Sequence, residues 1–398
     1  MRLRRCAQLF LQLDHEPRFD INRLLAGGDG MDSSARWLAH APHLPAPVAV
    51  SLAAAAVLAE MPPAPGIERD VIFARHGEAP VRELLAANLL LGQDTAPDLL
   101  ARDEAATSLA WWAPALLAQT AGAWDGVDID AHHAAGHMPT SARLVDEHGP
   151  APAHVFRCRP GQTPTPLHPP QHSAFDALLA QRRTCRNFDP ARALPAQALS
   201  TMLHRVWGAT GTRELAPGAV ALRKSSPAGG GLHVVECYLL VQRVEGLSPG
   251  LYHYLATEHA LETLTPLELA EAAAMAQAFV GGQHWFRDAP VMAIMTARFD
   301  RLFWKYRGHA KAWRVAHLDT GHLSQTMYLS AADLGLGAFV TAAINDSDIE
   351  RALGLPPLRE AAIAVVGFGP RAATVVNGEL DDLVPTEAAR RAAAAHQT

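Results

Sequence analysis

Arg182-Arg183-Thr184-Cys185-Arg186 gathers three guanidiniums and a hydroxyl into five residues. Arginine offers a planar, bidentate donor fork that matches phosphate oxygens, so this run could form a compact phosphate site. The alternative is a basic turn facing water. A second group, Ser225-Ser226-Pro227-Ala228-Gly229-Gly230-Gly231, stands directly before an apolar run. Such a loop lets backbone N–H groups approach a ligand, or serves only as a flexible turn. It is not a P-loop, because no Gly-Lys-Ser/Thr follows, and it is not a dinucleotide fingerprint, because it precedes a strand pattern rather than a helix. The third group is Trp304-Lys305-Tyr306, within Arg301–Arg307. Lysine and tyrosine can both move protons once their surroundings tune them, although such clusters also occur as snorkelling surface side chains.

Two further groups carry polar side chains at helical spacing. Asp319-Thr320-Gly321-His322 and Gln325 fall on a long helical pattern, where buried polar groups must find partners. They could serve dimer packing or the surround of a cofactor. Asp128, Asp130, His132, His133 and His137 fall within ten residues. His133 and His137 are one helical turn apart, a spacing that can hold a metal. Gly136 and Pro139 argue against a long helix there, and histidine is abundant at 20 residues. A solvated polar loop is expected, and no metal is assigned.

Elements must hold these groups in place. Val234–Val241 is a continuous apolar run rich in β-branched residues, the pattern of a strand buried on both faces. Leu251–Tyr254 and Ala260–Leu264 fit a hairpin, and Val291–Thr296, Ala338–Thr341 and Ala362–Val366 fit further strands. Helices are expected at Phe175–Arg182, Pro195–Trp207, Pro266–Val280 and Val315–Leu334. On the last, Leu318, His322, Gln325 and Leu329 share one face, and Leu323, Met327, Ala331 and Leu334 another. Apolar residues on both faces predict a helix buried nearly all round, as at a dimer interface. Prolines crowd the segment from Pro150 to Pro170, which forbids regular helix and favours an extended connector. The expected division is therefore residues 1–150 as a mainly helical N-terminal domain, 151–172 as a linker and 173–398 as an α+β domain. In the first part helices are expected near Pro47–Glu60, Val81–Leu91 and Asp103–Gln119, with no motif that names a reaction.

The 398 residues suffice for two domains, and a net charge of −6 points to neither nucleic acid nor an anionic membrane surface. Any phosphate must be held by a local basic cluster. Met1–Arg5 resembles the charged start of a signal peptide, but the apolar run after it carries Gln8 and Gln12 and ends at Asp14-His15-Glu16. Val48–Ala59 is too short to span a bilayer. Cys6, Cys158, Cys185 and Cys237 are widely spaced and read as free thiols, so a cytoplasmic protein is expected.

Taken in order, the motifs resemble those of the SagB-type dehydrogenases, a branch of the nitroreductase-like FMN oxidoreductases that mature ribosomally made peptides. The resemblance runs from about Ala180 to Pro370, nearly half the chain. It rests on RRTCRNF (Arg182–Phe188), SPAGGGLHVVECYLLV (Ser226–Val241) and EGLSPGLYHY (Glu245–Tyr254). It continues through FWKY (Phe303–Tyr306), HLDTGHLSQTMYLSAADLGLGAF (His317–Phe339) and VVGFGP (Val365–Pro370).

This resemblance implies an α+β nitroreductase-like fold, a mixed sheet flanked by helices, in a homodimer that binds FMN. Arg182, Arg183, Thr184 and Arg186 match the phosphate and ribityl site. Pro227, Ala228, Gly229 and Gly231 match the loop that lies against the isoalloxazine, reached from the neighbouring subunit. Thr341, Ala342 and Ala343 match the segment whose N–H faces flavin N5, and Gly367, Phe368, Gly369 and Arg371 the return to the phosphate. Lys305 and Tyr306 match the acid–base pair of azoline-oxidising members. Ala342 stands where relatives often have glycine, and Ala228 where a serine is common. The implied activity is two-electron oxidation of a precursor peptide, such as azoline to azole, with a cyclodehydratase or other maturation enzyme as a further partner. The N-terminal part would then recognise a peptide or partner. The alternatives are an NAD(P)H-dependent flavin reductase acting on a dehydroamino acid, quinone or nitro compound, and a non-catalytic peptide-binding scaffold.

Overall fold

The computed structural model describes residues 1–137, 140–153 and 173–379, together with 161, 163, 165, 167, 168, 170, 171, 383, 384, 386, 389 and 390. Much of the proline-rich segment, with Cys158, lies outside the described residues, as does 391–398.

The apolar run after the glycine loop forms the strand β1 (Val235–Val241), near the middle of a six-stranded sheet. The other strands are β2 (Gly250–Leu255), β3 (Ala260–Pro266), β4 (Val291–Arg298), β5 (Gly337–Thr341) and β6 (Glu360–Gly369). Their order across the sheet is β3-β2-β1-β4-β6-β5. All of these pairings are antiparallel, which corrects the expected mixed sheet. The short connections after β1 and β2 explain part of this, since parallel neighbours require a long crossover.

Both faces of the sheet are covered. Val235, Cys237, Leu239 and Val241 of β1 pack into one core with α2 (Ala196–Val206) and α5 (Ala312–Asp333). Tyr238 and Leu240 pack into the other with α3 (Leu269–Phe279) and α6 (Asp346–Leu353). A period of two with apolar residues on both sides gives the apolar run seen in the sequence, in which Glu236 is the one charged residue.

The N-terminal part, expected to be mainly helical, contains helices and sheets. Phe10–Phe19 pairs along its whole length with Met31–His40, which pairs in turn with Val48–Val50. Arg2–Arg5 lies between Ile67–Glu68 and Leu90–Leu91 in another sheet. Helices Leu52–Glu60, Arg69–His76 and Glu78–Ala86 enclose a core with Leu3, Val57, Ile72 and Leu84. Most side chains of the long hairpin are exposed, so no apolar alternation marks it in the sequence.

Packing also runs across the expected domain division. Ala105, Trp111 and Leu116 join the α2–α5 core. The Trp111 indole N–H donates to Leu358 O at 3.1 Å, and Asn345 binds Val127 N–H and C=O at 2.8 and 3.0 Å. The expected helix over Asp103–Gln119 is two helices, Pro97–Ser108 and Ala113–Ala121, separated near Ala110, which has φ 52°. Among the described residues, no helix is long and apolar enough to cross a membrane.

Candidate active site

Helix α4 (Phe299–Lys305) buries Phe299, Leu302 and Phe303 while Trp304 and Lys305 face outward. That amphipathic pattern turns Lys305 toward the glycine loop. Lys305 Nζ donates to Gly230 O at 3.0 Å. Tyr306, which caps the helix, brings its hydroxyl so close that a Cβ on Gly230 would lie 2.2 Å from it. Gly230 also has φ 62°, so glycine is required there for both space and conformation. This residue was missing from the set read from sequence, which included Pro227, Ala228, Gly229 and Gly231 from the same loop.

The loop is fixed from below by α5. Gly229 N–H donates to both carboxylate oxygens of Asp319, at 3.0 and 3.2 Å, and Ser226 meets Thr326 at 2.7 Å. Burial raises the Asp319 carboxyl above its ordinary value, while the Gly229 N–H opposes that shift. Lys224 and His233 lie beside Pro227 and Ala228, and burial lowers the pKa of both. A cavity of about 470 Å³ opens beside Lys305, Trp304, Gly230 and Gly231. The hairpin Ala209–Ala216 and Ala219–Lys224 forms its other wall. Arg301 ties wall to loop, donating to Val220 O at 2.9 Å and Leu232 O at 2.7 Å.

The arginine run follows α1 (Ala174–Gln181) and forms a separate cluster. The Arg182 guanidinium lies 5.4 Å from the Tyr328 ring centroid, and Thr184 Oγ1 meets the Tyr328 hydroxyl at 3.0 Å. Val340 N–H also donates to that hydroxyl, at 3.1 Å, coupling the arginine run to β5 and the segment after it. There Gln283 donates to Thr341 Oγ1 and Ala343 O at 3.2 and 3.0 Å, holding a side chain and a carbonyl on either side of exposed Ala342. Arg183 is exposed.

The Arg371 guanidinium and the Arg186 backbone meet one buried carboxylate. Arg186 N–H donates to Glu379 Oε1 at 2.8 Å, and Arg371 Nη2 to Glu379 Oε2 at 2.5 Å. Asn187 adds a third donor at 2.9 Å. The Glu379 side chain is only 1% exposed. Burial would raise its carboxyl, but these donors hold it below the ordinary value. Gly367, Phe368 and Gly369 are buried inside β6, where a Cβ would strike Phe339 at Gly367 and Pro290 at Gly369. The structure thus gives them close packing within the strand.

Tyr328 and Asp319 stand nine residues apart on α5, or about two and a half turns and about 14 Å of rise. They therefore project from opposite faces of the helix. The arginine cluster and the glycine loop that Lys305 contacts therefore meet opposite faces of α5.

Residues 179–370 match the family model described as the nitroreductase family. The likeness to that family covers these residues, a little under half of the chain. The chain is 28% identical over 179 residues to a protein named as a putative nitroreductase in Methanocaldococcus jannaschii, covering 45% of this chain and 83% of that one. It is 31% identical over 144 residues to the trifolitoxin-processing protein of Rhizobium leguminosarum bv. trifolii, covering 36% of this chain and 38% of the relative. The microcin B17-processing protein of Escherichia coli is 30% identical over 158 residues, covering 38% of this chain and 56% of the relative. Matches to these two processing proteins thus span less than two thirds of their lengths. A chain of the E. coli microcin synthetase McbBCD complex with truncated pro-MccB17 bound shares the fold. That match has a TM-score of 0.50 and 20% identity, and covers 72% of this chain and all of the other.

In the histidine-rich group, which lies outside the matched residues, the two aspartates have structural contacts. Asp128 caps the helix Ile129–Ala134 by accepting from Ala131 N–H, and Asp130 accepts from the His284 ring at 2.7 Å. Cys6, Cys185 and Cys237 are free and buried.

Proposed function

We propose that this chain is an FMN-dependent oxidoreductase that performs two-electron oxidation of a ribosomally made precursor peptide, with azoline-to-azole conversion as the favoured chemistry. One observation carries this reading: Lys305 and Tyr306 converge on Gly230 beside a cavity of about 470 Å³. The names of the two processing relatives support a peptide substrate.

The residues present fit the cofactor. Arg182, Arg183 and Thr184 offer cationic and hydroxyl donors for its phosphate, the Pro227–Gly231 backbone offers a flat approach to its rings, and Ala342 presents an exposed backbone position. When bound, FMN would supply a two-electron acceptor for hydride. Lys305 and Tyr306 are the groups that would take the accompanying proton from the substrate carbon. Lys305, held by Gly230 O, and Tyr306, over whose ring the ammonium lies at 5.5 Å, form a coupled pair. Trp304 and the hairpin wall would limit water at the reacting centre. Because the two clusters face opposite ways on α5, a complete site would combine Arg182 and Thr184 from one subunit with the loop and Lys305 of another. A homodimer is therefore part of the proposal, and a cyclodehydratase or other maturation enzyme is the partner that would make an azoline.

The test is mass spectrometry of candidate precursor peptides incubated with the FMN-loaded protein. Loss of 2 Da, abolished by Lys305→Ala with FMN still bound, is the expected result. Rapid NAD(P)H oxidation without peptide, or a gain of 2 Da, would instead identify a reductase. A colourless protein that does not take up FMN would leave the scaffold reading.

A further inference from the structure

A second cavity, about 520 Å³, lies where residues 102–125 meet α6 and the start of α4. Its apolar wall includes Trp111 and Phe299, whose rings are 4.3 Å apart. Its polar wall includes Arg102 and Glu350, which come from different parts of the chain. Arg102 Nε is buried without a hydrogen-bond partner. A guanidinium does not escape that cost by losing its proton. The neighbouring charges are otherwise occupied, since Arg351 binds Asp348 at 2.7 Å and Asp125 at 3.2 Å.

Glu350 uses one oxygen to accept from Ala362 N–H at 3.2 Å. Burial raises its carboxyl to about 7, with Asp346 and Glu360 adding repulsion and Arg102 opposing it. Below neutrality the cavity therefore presents a cation, a carboxylic acid able to donate, and an aromatic surface. An ionised carboxylate on an apolar body satisfies all three: its oxygens accept from Arg102 and Glu350, and its body covers the rings.

We propose that this cavity binds a carboxylate carried on an aromatic or branched apolar group, with Arg102 as the anion-binding residue. The site is separate from Lys305, and the proposal does not depend on the reaction assigned above. The same chemistry could come from a small free acid or from a peptide C-terminus.

Calorimetric titration of the full chain tests it, with N-acetyl-L-phenylalanine, its amide, and the tripeptide Gly-Gly-Phe as probes. At pH 6 the acid is expected to bind at least tenfold more tightly than the amide, and Arg102→Gln to remove that advantage. Tighter binding of Gly-Gly-Phe than of the acetylated amino acid assigns the site to peptide C-termini, and weaker binding assigns it to small acids. As Glu350 ionises through about pH 7, it repels the ligand, so affinity falls. Glu350→Gln should abolish that fall, which keeps the test available even if Arg102→Gln fails to fold. Equal affinity for acid and amide, no detectable binding at millimolar probe, or a pH dependence unchanged in Glu350→Gln would overturn the proposal.

Discussion

Gly229 has no room for a side chain, since a Cβ would lie 2.0 Å from Val315 Cγ1, and its N–H is committed to Asp319. Asp319 is 4% exposed, so its carboxylate is held for this contact and not for solvent. Its consequence is local: it sets the height of the loop whose next residue meets Lys305 and Tyr306. Asn retains an accepting oxygen but loses the charge, which should weaken the hold by about 1 kcal/mol. Asp319→Asn is expected to lower kcat/KM for the peptide by about fivefold, and Asp319→Ala by more. FMN absorbance should persist in both variants. Steady-state kinetics beside a flavin spectrum checks this, and an Asp319→Ala enzyme with unchanged kcat/KM would remove the residue from any positioning role.

Helix α6 shows how an element can carry a pH dependence that its sequence does not announce. Asp346 and Glu350 lie on it, and burial raises them to about 6 and about 7. The folded Glu350 holds its proton more tightly than the unfolded one, whose ordinary value is 4.5. Its contribution is thus fully present below pH 4.5 and is lost as pH rises through about 7. The loss is on the order of 3 kcal/mol. Urea denaturation at pH 5 and pH 8 should show Glu350→Gln gaining stability relative to the parent at the higher pH; no relative change would mean the carboxyl is not held in this way. The same contrast between visible and hidden elements runs through the fold. Val235–Val241 was legible because both its faces are apolar, and α5 because its pattern is long. The two hairpins at Phe10–His40 and Ala209–Lys224 were not, because exposed strands are held by backbone pairing that side chains do not report. At the candidate site, Lys305, Tyr306 and most of the glycine loop were readable from motif order. Tyr328, Gln283 and Glu379 were not, since each meets a partner far away in sequence: Thr184, Ala343 and Arg186 respectively.

At the scale of the molecule, α5 decides how a site can be assembled. The expected burial all round holds for one side only: Leu323, Met327 and Ala331 are buried, while Leu318 is 56% exposed and Gly321, His322 and Gln325 are exposed beside it. A long helix that buries one apolar face and leaves Leu318 on the other is suited to a second copy related by twofold symmetry. Such a pairing would bring the loop of one chain toward the arginine cluster of its partner. This makes a prediction that a site built within one chain does not share. Arg182→Ala and Lys305→Ala enzymes should each be inactive alone, by loss of cofactor and of proton transfer respectively. When the two are co-expressed, half of the dimers are mixed, and one site in each mixed dimer carries neither substitution, so about a quarter of all sites should recover. If Arg182 and Lys305 served the same site from one chain, every site in every dimer would carry a lesion and no activity would return. Peptide turnover by the co-expressed pair, normalised to light-scattering mass, separates the two arrangements, and a monomer that holds FMN and turns over peptide would exclude the shared site outright.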